Sequence, residues 1–300
     1  MRVVIDKYIP YLQGVLEPYC HVDYLSPEAI TADAVKDADA LIVRTRTQVN
    51  KELLAYSAVR FVATATIGFD HMDLPYLEEH AIGYCSCPGC NAQAVCDYIQ
   101  EALPPDAHSI GIVGVGHVGS LVQQMAIRKG IQVFLSDPPK GLLDDVTQAD
   151  VITFHTPLTK DGPYPTYHLC DTVFLSRCKP TALIINAARG GVVDESALLR
   201  SGNPFVLDCW EGEPDINQTV MAQARLASYH IAGYSVQGKR NASQTCLDAL
   251  TGFFELPKLT ITPDDGRRGD NTPGWLKRVS ADLKAHPEDF ELLRKNYKLR

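Results

Sequence analysis

The stretch SIGIVGVGHVGSLVQQMAIRKGIQVFLSD, residues 109–137, decides the reading of this chain. An apolar run, SIGIV, enters a turn whose Gly114, Gly116 and Gly119 have the GxGxxG spacing. A helix-forming stretch, VGSLVQQMAIRKG, leaves it, and a second apolar run ends on Asp137, 18 residues beyond Gly119. The spacing alone occurs in many loops, but strand, turn, helix and terminal acid together specify a dinucleotide-binding βαβ unit. The first glycine permits the tight turn, the second lets backbone N–H groups approach a pyrophosphate, and the third lets helix and strand pack closely. The helix N-terminus favours the anion. Asp137 can accept hydrogen bonds from ribose hydroxyls and would repel a 2′-phosphate, so NAD is favoured over NADP, with Lys140 nearby weakening that preference.

Outward from this unit the same grammar repeats. Downstream come VITFH (151–155), ALIINA (182–187), FVLDCW (205–210) and HIAGY (230–234); upstream come VVID (3–6), ALIVR (40–44), RFVATAT (60–66) and IGYCS (82–86). Short β-branched runs alternating with helical stretches mean parallel sheets covered on both faces. The expected architecture is α/β, two doubly wound parallel-sheet domains at 1–91 and 92–239, a return helix at 240–256 and a short C-terminal extension at 257–300. The helix at 91–103, with Asn91 as its cap and Pro104-Pro105 as its stop, is expected to cross between the domains. TPDDGRRGDNTPG (262–274) reads as a loop, followed by helical stretches at 275–285 and 288–297.

Composition narrows the function. With 300 residues, 45% of them apolar, the chain can build two cores, and 28 Lys plus Arg against 36 Asp plus Glu give a net charge of −8. That balance argues against nucleic acid and anionic membrane as partners and favours a small molecule. No apolar run approaches the roughly 20 residues of a membrane helix, and MRVVIDKYIP has a buried strand's pattern, so a cytoplasmic protein is expected. Nine cysteines scattered through apolar segments read as reduced core thiols.

Three residues carry the chemistry. Arg189 follows ALIINA, Glu213 follows FVLDCW and His230 opens HIAGY, all at or just beyond strand ends, where parallel sheets bind ligands. An imidazole moves a proton to or from a hydroxyl near neutral pH, a carboxylate beside it fixes its tautomer and raises its pKa, and a guanidinium holds a carboxylate through two parallel bonds.

GVGHVGS with Asp137, HTPL (155–158), NAARGGVVD (186–194), the Asp208–Glu213 segment and HIAGY resemble the D-2-hydroxyacid dehydrogenase family. Four further strings, TATIGFDHMD (64–73), PGCNAQAV (88–95), TKDGPYPTYHL (159–169) and WEGEPDIN (210–217), are similar to its members that oxidise 4-phospho-D-erythronate. The resemblance runs from residue 1 to about 255. It implies a flavodoxin-like substrate domain, a Rossmann nucleotide-binding domain and a reduced C-terminal dimerisation segment giving a homodimer. By the same resemblance Arg189 binds the substrate carboxylate and C2 oxygen, His230 exchanges the C2 hydroxyl proton and Glu213 orients His230. Cofactor positions are Gly114, Gly116, His117, Val118, Gly119, Asp137, Thr156, Ala187, Ala188, Arg189, Asp208 and Gly233; substrate positions are Thr45, Thr66 and Tyr234, with no metal. The implied reaction yields 2-oxo-3-hydroxy-4-phosphobutanoate, toward pyridoxine 5′-phosphate. Arg44, Arg46 and Lys239 are the nominees for the 4-phosphate.

The chain also departs from the family. The helical passage before SIGIVG is short, the link from Asp137 to Ala149 lacks much of a loop and helix, SGNPFVLDCW is clipped, and the C-terminal part is reduced. If terminal elements pair across a two-fold axis, Trp275, Leu276, Leu292 and Leu293 are expected at the contact. Cys85, Cys87, Cys90 and Cys96 lack the paired knuckles of a zinc site and read as packing residues. Asp70, His71 and Asp73 suit a helix's first turn. Two other functions stay open: a dehydrogenase of the hydroxypyruvate or glyoxylate type, and a non-catalytic NAD-sensing scaffold.

Overall fold

The apolar runs of the first ninety residues form five parallel strands, β1 (Arg2–Asp6), β2 (His21–Leu25), β3 (Ala40–Val43), β4 (Phe61–Thr64) and β5 (Gly83–Cys85), in the order β2-β1-β3-β4-β5. This is the flavodoxin-like winding. The computed structural model describes residues 1–264, 266 and 268–300. They divide into two units, Met1–Asn91 with Ser235–Arg267 and Ala92–Tyr234 with Arg268–Arg300.

In the first unit alternate strand residues serve opposite faces. Val3, Ile5, Ala40, Ile42 and Phe61 pack with Cys246, Leu247 and Leu250 of the helix Val236–Phe253, while Val4, Leu41, Val43 and Val62 pack with Leu53, Leu54 and Leu77. With both faces covered, the strands read as unbroken apolar runs rather than as an alternation. Asn50 caps the helix Lys51–Leu54 through Leu53 N–H at 3.1 Å, and Asp73 caps Leu74–Glu79 through Tyr76 N–H at 3.1 Å. His71 is buried, with Nε2 2.9 Å from the Thr64 hydroxyl. The hydrophilic cluster at 70–73 thus supplies a cap and a core hydrogen bond. The Cys87 and Cys246 sulfurs lie 3.6 Å apart inside this unit, and all nine cysteines are free thiols.

The second unit holds β6 (Ser109–Val113), β7 (Gln132–Ser136), β8 (Val151–Phe154), β9 (Leu183–Asn186), β10 (Phe205–Leu207) and β11 (Leu226–Ala227), all parallel, ordered β11-β10-β9-β8-β6-β7. The winding reverses between β6 and β8, the switch point at which such sheets take ligands. A six-stranded dinucleotide fold has one more strand outside the position of β7. Here the link from Asp137 to Asp150 has room only for a 3-10 turn, Leu143–Val146, whose Val146 is fully buried, and β7 becomes the sheet edge.

Two expectations need correction. Asn91 does not cap the helix Ala92–Ala102: its Oδ1 is buried without a partner among the described residues. Trp275 and Leu276 are 5% and 0% exposed within their own unit, where Trp275 meets Tyr98 edge to face at 5.9 Å. They are core residues of one chain and are not available to a two-fold contact; of the four residues expected there, Leu292 is the one left exposed. The segment carrying them forms helices Trp275–Ala285 and Phe290–Asn296. Among the described residues no helix is long and apolar enough to cross a membrane.

The helix Glu195–Ser201 is capped by Asp194 and begins on a buried acid, Glu195, whose Oε1 accepts the Glu211 N–H at 2.7 Å. Burial pushes the Glu195 carboxyl up to about 7 against the pull of that N–H, and the charges of Glu211, Glu213 and Asp194 add to the rise. A carboxyl raised in the folded state favours folding while it stays protonated and loses that contribution as pH climbs from its unfolded value through about 7. Glu195→Gln should therefore lose less stability than the parent between pH 5 and 8, by on the order of 2 kcal/mol. Denaturant midpoints of both proteins across that range check it; parallel curves would contradict the assignment.

Candidate active site

The C-terminal ends of β9, β10 and β11 lie side by side, and Arg189, Asp208 and His230 follow them by three, one and three residues. Sheet order alone therefore brings distant parts of the chain to one edge. Close backbone approach completes the convergence: a Cβ on Gly190 would stand 1.9 Å from the Trp210 carbonyl oxygen, so only glycine lets the Arg189 turn press against the start of the Glu213 turn.

Glu213 and His230 meet directly. His230 Nδ1 lies 2.7 Å from Glu213 Oε2, while Glu213 Oε1 accepts the Trp210 N–H at 2.9 Å, so both carboxylate oxygens are fixed. The imidazole side chain keeps 30% exposure. Burial works to lower its pKa, but the Cys209 sulfur and the Glu213 carboxylate outweigh that, and the net shift is upward from the usual value near 6.5. Cys209 Sγ, Glu213 and His230 ligand atoms all lie within 4.8 Å of one another. His155 behaves in the opposite way: desolvation presses it down to about 3, and its Nε2 meets Thr153 Oγ1 at 3.1 Å, so it stays neutral.

The backbone under His230 is held in the left-handed region, φ 59°, which a side chain other than glycine's disfavours. Asp208 enforces it. Its main-chain oxygen accepts the His230 N–H at 2.9 Å, Oδ1 accepts from the Ser228 hydroxyl at 2.7 Å and the Ile231 N–H at 2.8 Å, and Oδ2 accepts the Ala232 N–H at 2.9 Å. At 1% exposure this carboxylate is wholly committed inside the protein. Ser228 in turn meets the buried Tyr98 hydroxyl at 2.8 Å. On the other side of the loop, Arg300 donates to the Ala232 carbonyl at 2.8 Å, Arg294 Nε donates to the Tyr234 hydroxyl at 3.2 Å, and Tyr297 packs on Tyr229 and Tyr234. None of these supports had a local signature in the sequence.

The Glu213 turn is anchored at a second point. Glu211 pairs through its carboxylate with His168 Nε2 and through its N–H with Glu195. His168 is presented by the TKDGPYPTYHL loop, which the Thr166 hydroxyl ties together by accepting the Thr159 N–H at 2.8 Å and donating to the Pro157 carbonyl at 2.6 Å. Arg189 is half-buried, and Asn186 fixes its backbone by donating to the Arg189 carbonyl at 2.9 Å. Its Nη1 donates to the Ala188 carbonyl at 2.8 Å, and no carboxylate pairs with it among the described residues.

The glycine turn fits a dinucleotide. The Gly114 N–H donates to the Ser136 carbonyl at 2.7 Å, which sets Asp137, exposed at the end of β7, beside the turn. A Cβ on Gly119 would lie 2.0 Å from the Gly114 carbonyl oxygen, whereas the Cβ direction of Gly116 meets open space. Gly116 caps the helix His117–Arg128 without any side-chain bond, leaving the N–H groups at His117 and Val118 to an anion. Thr156, across the switch point after β8, has a buried hydroxyl with no partner among the described residues. A bound cofactor would give that orphan its bond. Ala187 and Ala188 are buried at the end of β9, and Gly233 lies in the turn closed by the Tyr234 N–H to the Ile231 carbonyl at 2.8 Å.

In the first unit, Thr45 is exposed just after β3, and Thr66 follows β4 with its hydroxyl 2.7 Å from that of Thr64 and 3.2 Å from the Gly68 carbonyl. Arg44, nominated for the phosphate, is already engaged: Nε and Nη2 reach the buried Asp6 carboxylate at 2.8 and 3.2 Å.

Comparison with known proteins finds relatives along the whole chain. The erythronate-4-phosphate dehydrogenase of Bacteroides fragilis is 41% identical over 336 positions that take in 100% of this chain and 97% of that protein. The protein of the same description from Cronobacter sakazakii is 38% identical over 100% of this chain and 92% of its own. Since 336 aligned positions exceed the 300 residues present, the missing segments are internal. Among solved structures, the D-lactate dehydrogenase of Aquifex aeolicus, complexed with NAD and lactic acid, superposes with a TM-score of 0.66 over 87% of this chain and 100% of that one at 21% identity, a likeness of fold. The family model of the D-isomer specific 2-hydroxyacid dehydrogenase catalytic domain matches residues 3–260, and the chain belongs to that family.

Proposed function

We propose that this chain oxidises 4-phospho-D-erythronate to 2-oxo-3-hydroxy-4-phosphobutanoate with NAD, in the cytoplasm, on the route to pyridoxine 5′-phosphate. The observation that carries the reading is the Glu213–His230 pair held at 2.7 Å on the sheet edge that also bears Arg189. The choice of substrate is supported by the full-length relatives of that description at 38–41% identity.

With Nδ1 held by Glu213, Nε2 is the nitrogen left to accept the C2 hydroxyl proton as the alcohol is oxidised. Glu213 stabilises the imidazolium that results, and its second oxygen, tied to Trp210, keeps it from turning away. Arg189 takes the substrate carboxylate and steadies the C2 oxygen through its planar fork. Asp208 keeps the imidazole aimed by fixing the backbone at His230 and at the two residues after it. The cofactor, held by the Gly114–Gly119 turn, Asp137 and Thr156, would supply the hydride acceptor. Thr45, Thr66 and Tyr234 are proposed as substrate contacts.

Purified protein given NAD, 4-phosphoerythronate and a trap for the keto product should form reduced cofactor; a rate no greater than that of His230→Ala would contradict the reading. Glu213→Gln should lower turnover on the order of 100-fold. Removing the carboxylate lowers the His230 pKa, so the acid limb of the oxidation profile should move to lower pH; an unmoved limb would assign the base elsewhere. Arg189→Lys should raise KM for the 2-hydroxy acid by about tenfold or more, because a point charge cannot replace the bidentate fork. Kinetics unchanged by that substitution would place the carboxylate on another residue.

A further inference from the structure

We propose that Arg294, on the C-terminal helix Phe290–Asn296, binds the phosphate group of the substrate, an inference that rests on the phosphorylated 2-hydroxy acid assigned above. Of the three nominees from the sequence, Arg44, Arg46 and Lys239, Arg44 is committed through Nε and Nη2 to the buried carboxylate of Asp6. Arg294 has the opposite character. Its Nε donates to the Tyr234 hydroxyl at 3.2 Å, and its Cζ stands 5.9 Å from the centre of that ring. Tyr234 closes the turn that begins one residue after His230. The guanidinium is therefore carried to the rim of the Glu213–His230 site by a segment some sixty residues further along the chain.

The remaining contacts leave the fork usable. Nη1 meets Glu291 Oε1 at 3.3 Å, a neighbour on the same helix that is itself 41% exposed, and Nη2 has no hydrogen bond among the described residues. Burial opposes the charge of Arg294, while Tyr234, Glu213 and Glu291 together favour it, which places the group within the field of the catalytic carboxylate. A partly desolvated guanidinium with an open edge is suited to a phosphate, which it can meet through two parallel charge-assisted bonds. A dianion competes well against the single, solvent-exposed carboxylate of Glu291.

The test compares 4-phosphoerythronate with unphosphorylated erythronate on the full-length protein, its Arg294→Ala and Arg294→Lys variants, with inorganic phosphate as a separate probe. Arg294→Ala should raise KM for the phosphorylated acid by about ten- to a hundredfold with little change in kcat, raise KM for erythronate far less, and abolish phosphate binding in calorimetry. Arg294→Lys should recover part of the loss. Equal rises in KM for both acids would mean that Arg294 acts only by supporting Tyr234, and unchanged KM and phosphate binding would overturn the assignment. If the parent protein binds phosphate through Arg294 yet turns over neither acid, the reaction proposed above fails while the anion site stands.

Discussion

The Asp208 carboxylate organises the catalytic edge. Accepting from Ser228, Ile231 and Ala232 at once, it holds His230 in a backbone conformation that a histidine disfavours, and only with that loop fixed does Nδ1 fall in line with Glu213. A carboxylate with 1% exposure is stable only when its lone pairs are answered, and here the answers come from the loop it positions. Fold and catalytic geometry are thus one network. Tyr98 and Ser228 extend it into the core, and Arg300 closes it from the C-terminal side.

This network explains how a shortened chain can keep the site. One reduced part, the outer strand beyond β7 with the helix that would accompany it, lies at the far edge of the sheet from β9, β10 and β11. The strand ends bearing Arg189, Asp208 and His230 are adjacent to one another and are pressed together at Gly190. The C-terminal segment, brief as it is, packs Trp275 and Leu276 into its own unit and sends Arg294, Tyr297 and Arg300 to the His230 loop.

Part of the site is legible in local sequence pattern. The GxGxxG turn, the β-branched runs and the positions of Arg189, Glu213 and His230 at strand ends are all set by residues near in sequence, and parallel-sheet topology converts them into a shared edge. What tertiary packing decides has no such local signature. The family resemblance implies a cofactor contact for Asp208, and nothing local reveals that three donors will converge on its carboxylate. Asn91 has a cap's identity and place, but its oxygen is buried and meets no partner among the described residues. Arg294 lies in a charged, amphipathic helix whose composition does not say that one of its arginines reaches a tyrosine sixty residues earlier.

The most direct test is a crystal structure of the protein with NAD and a slowly reacting 2-hydroxy acid. The substrate carboxylate should lie on the Arg189 guanidinium in a bidentate pair, with the C2 hydroxyl within hydrogen-bonding reach of His230 Nε2 while Glu213 still holds Nδ1. A bound acid whose carboxylate and hydroxyl touch neither residue would contradict the account at its centre.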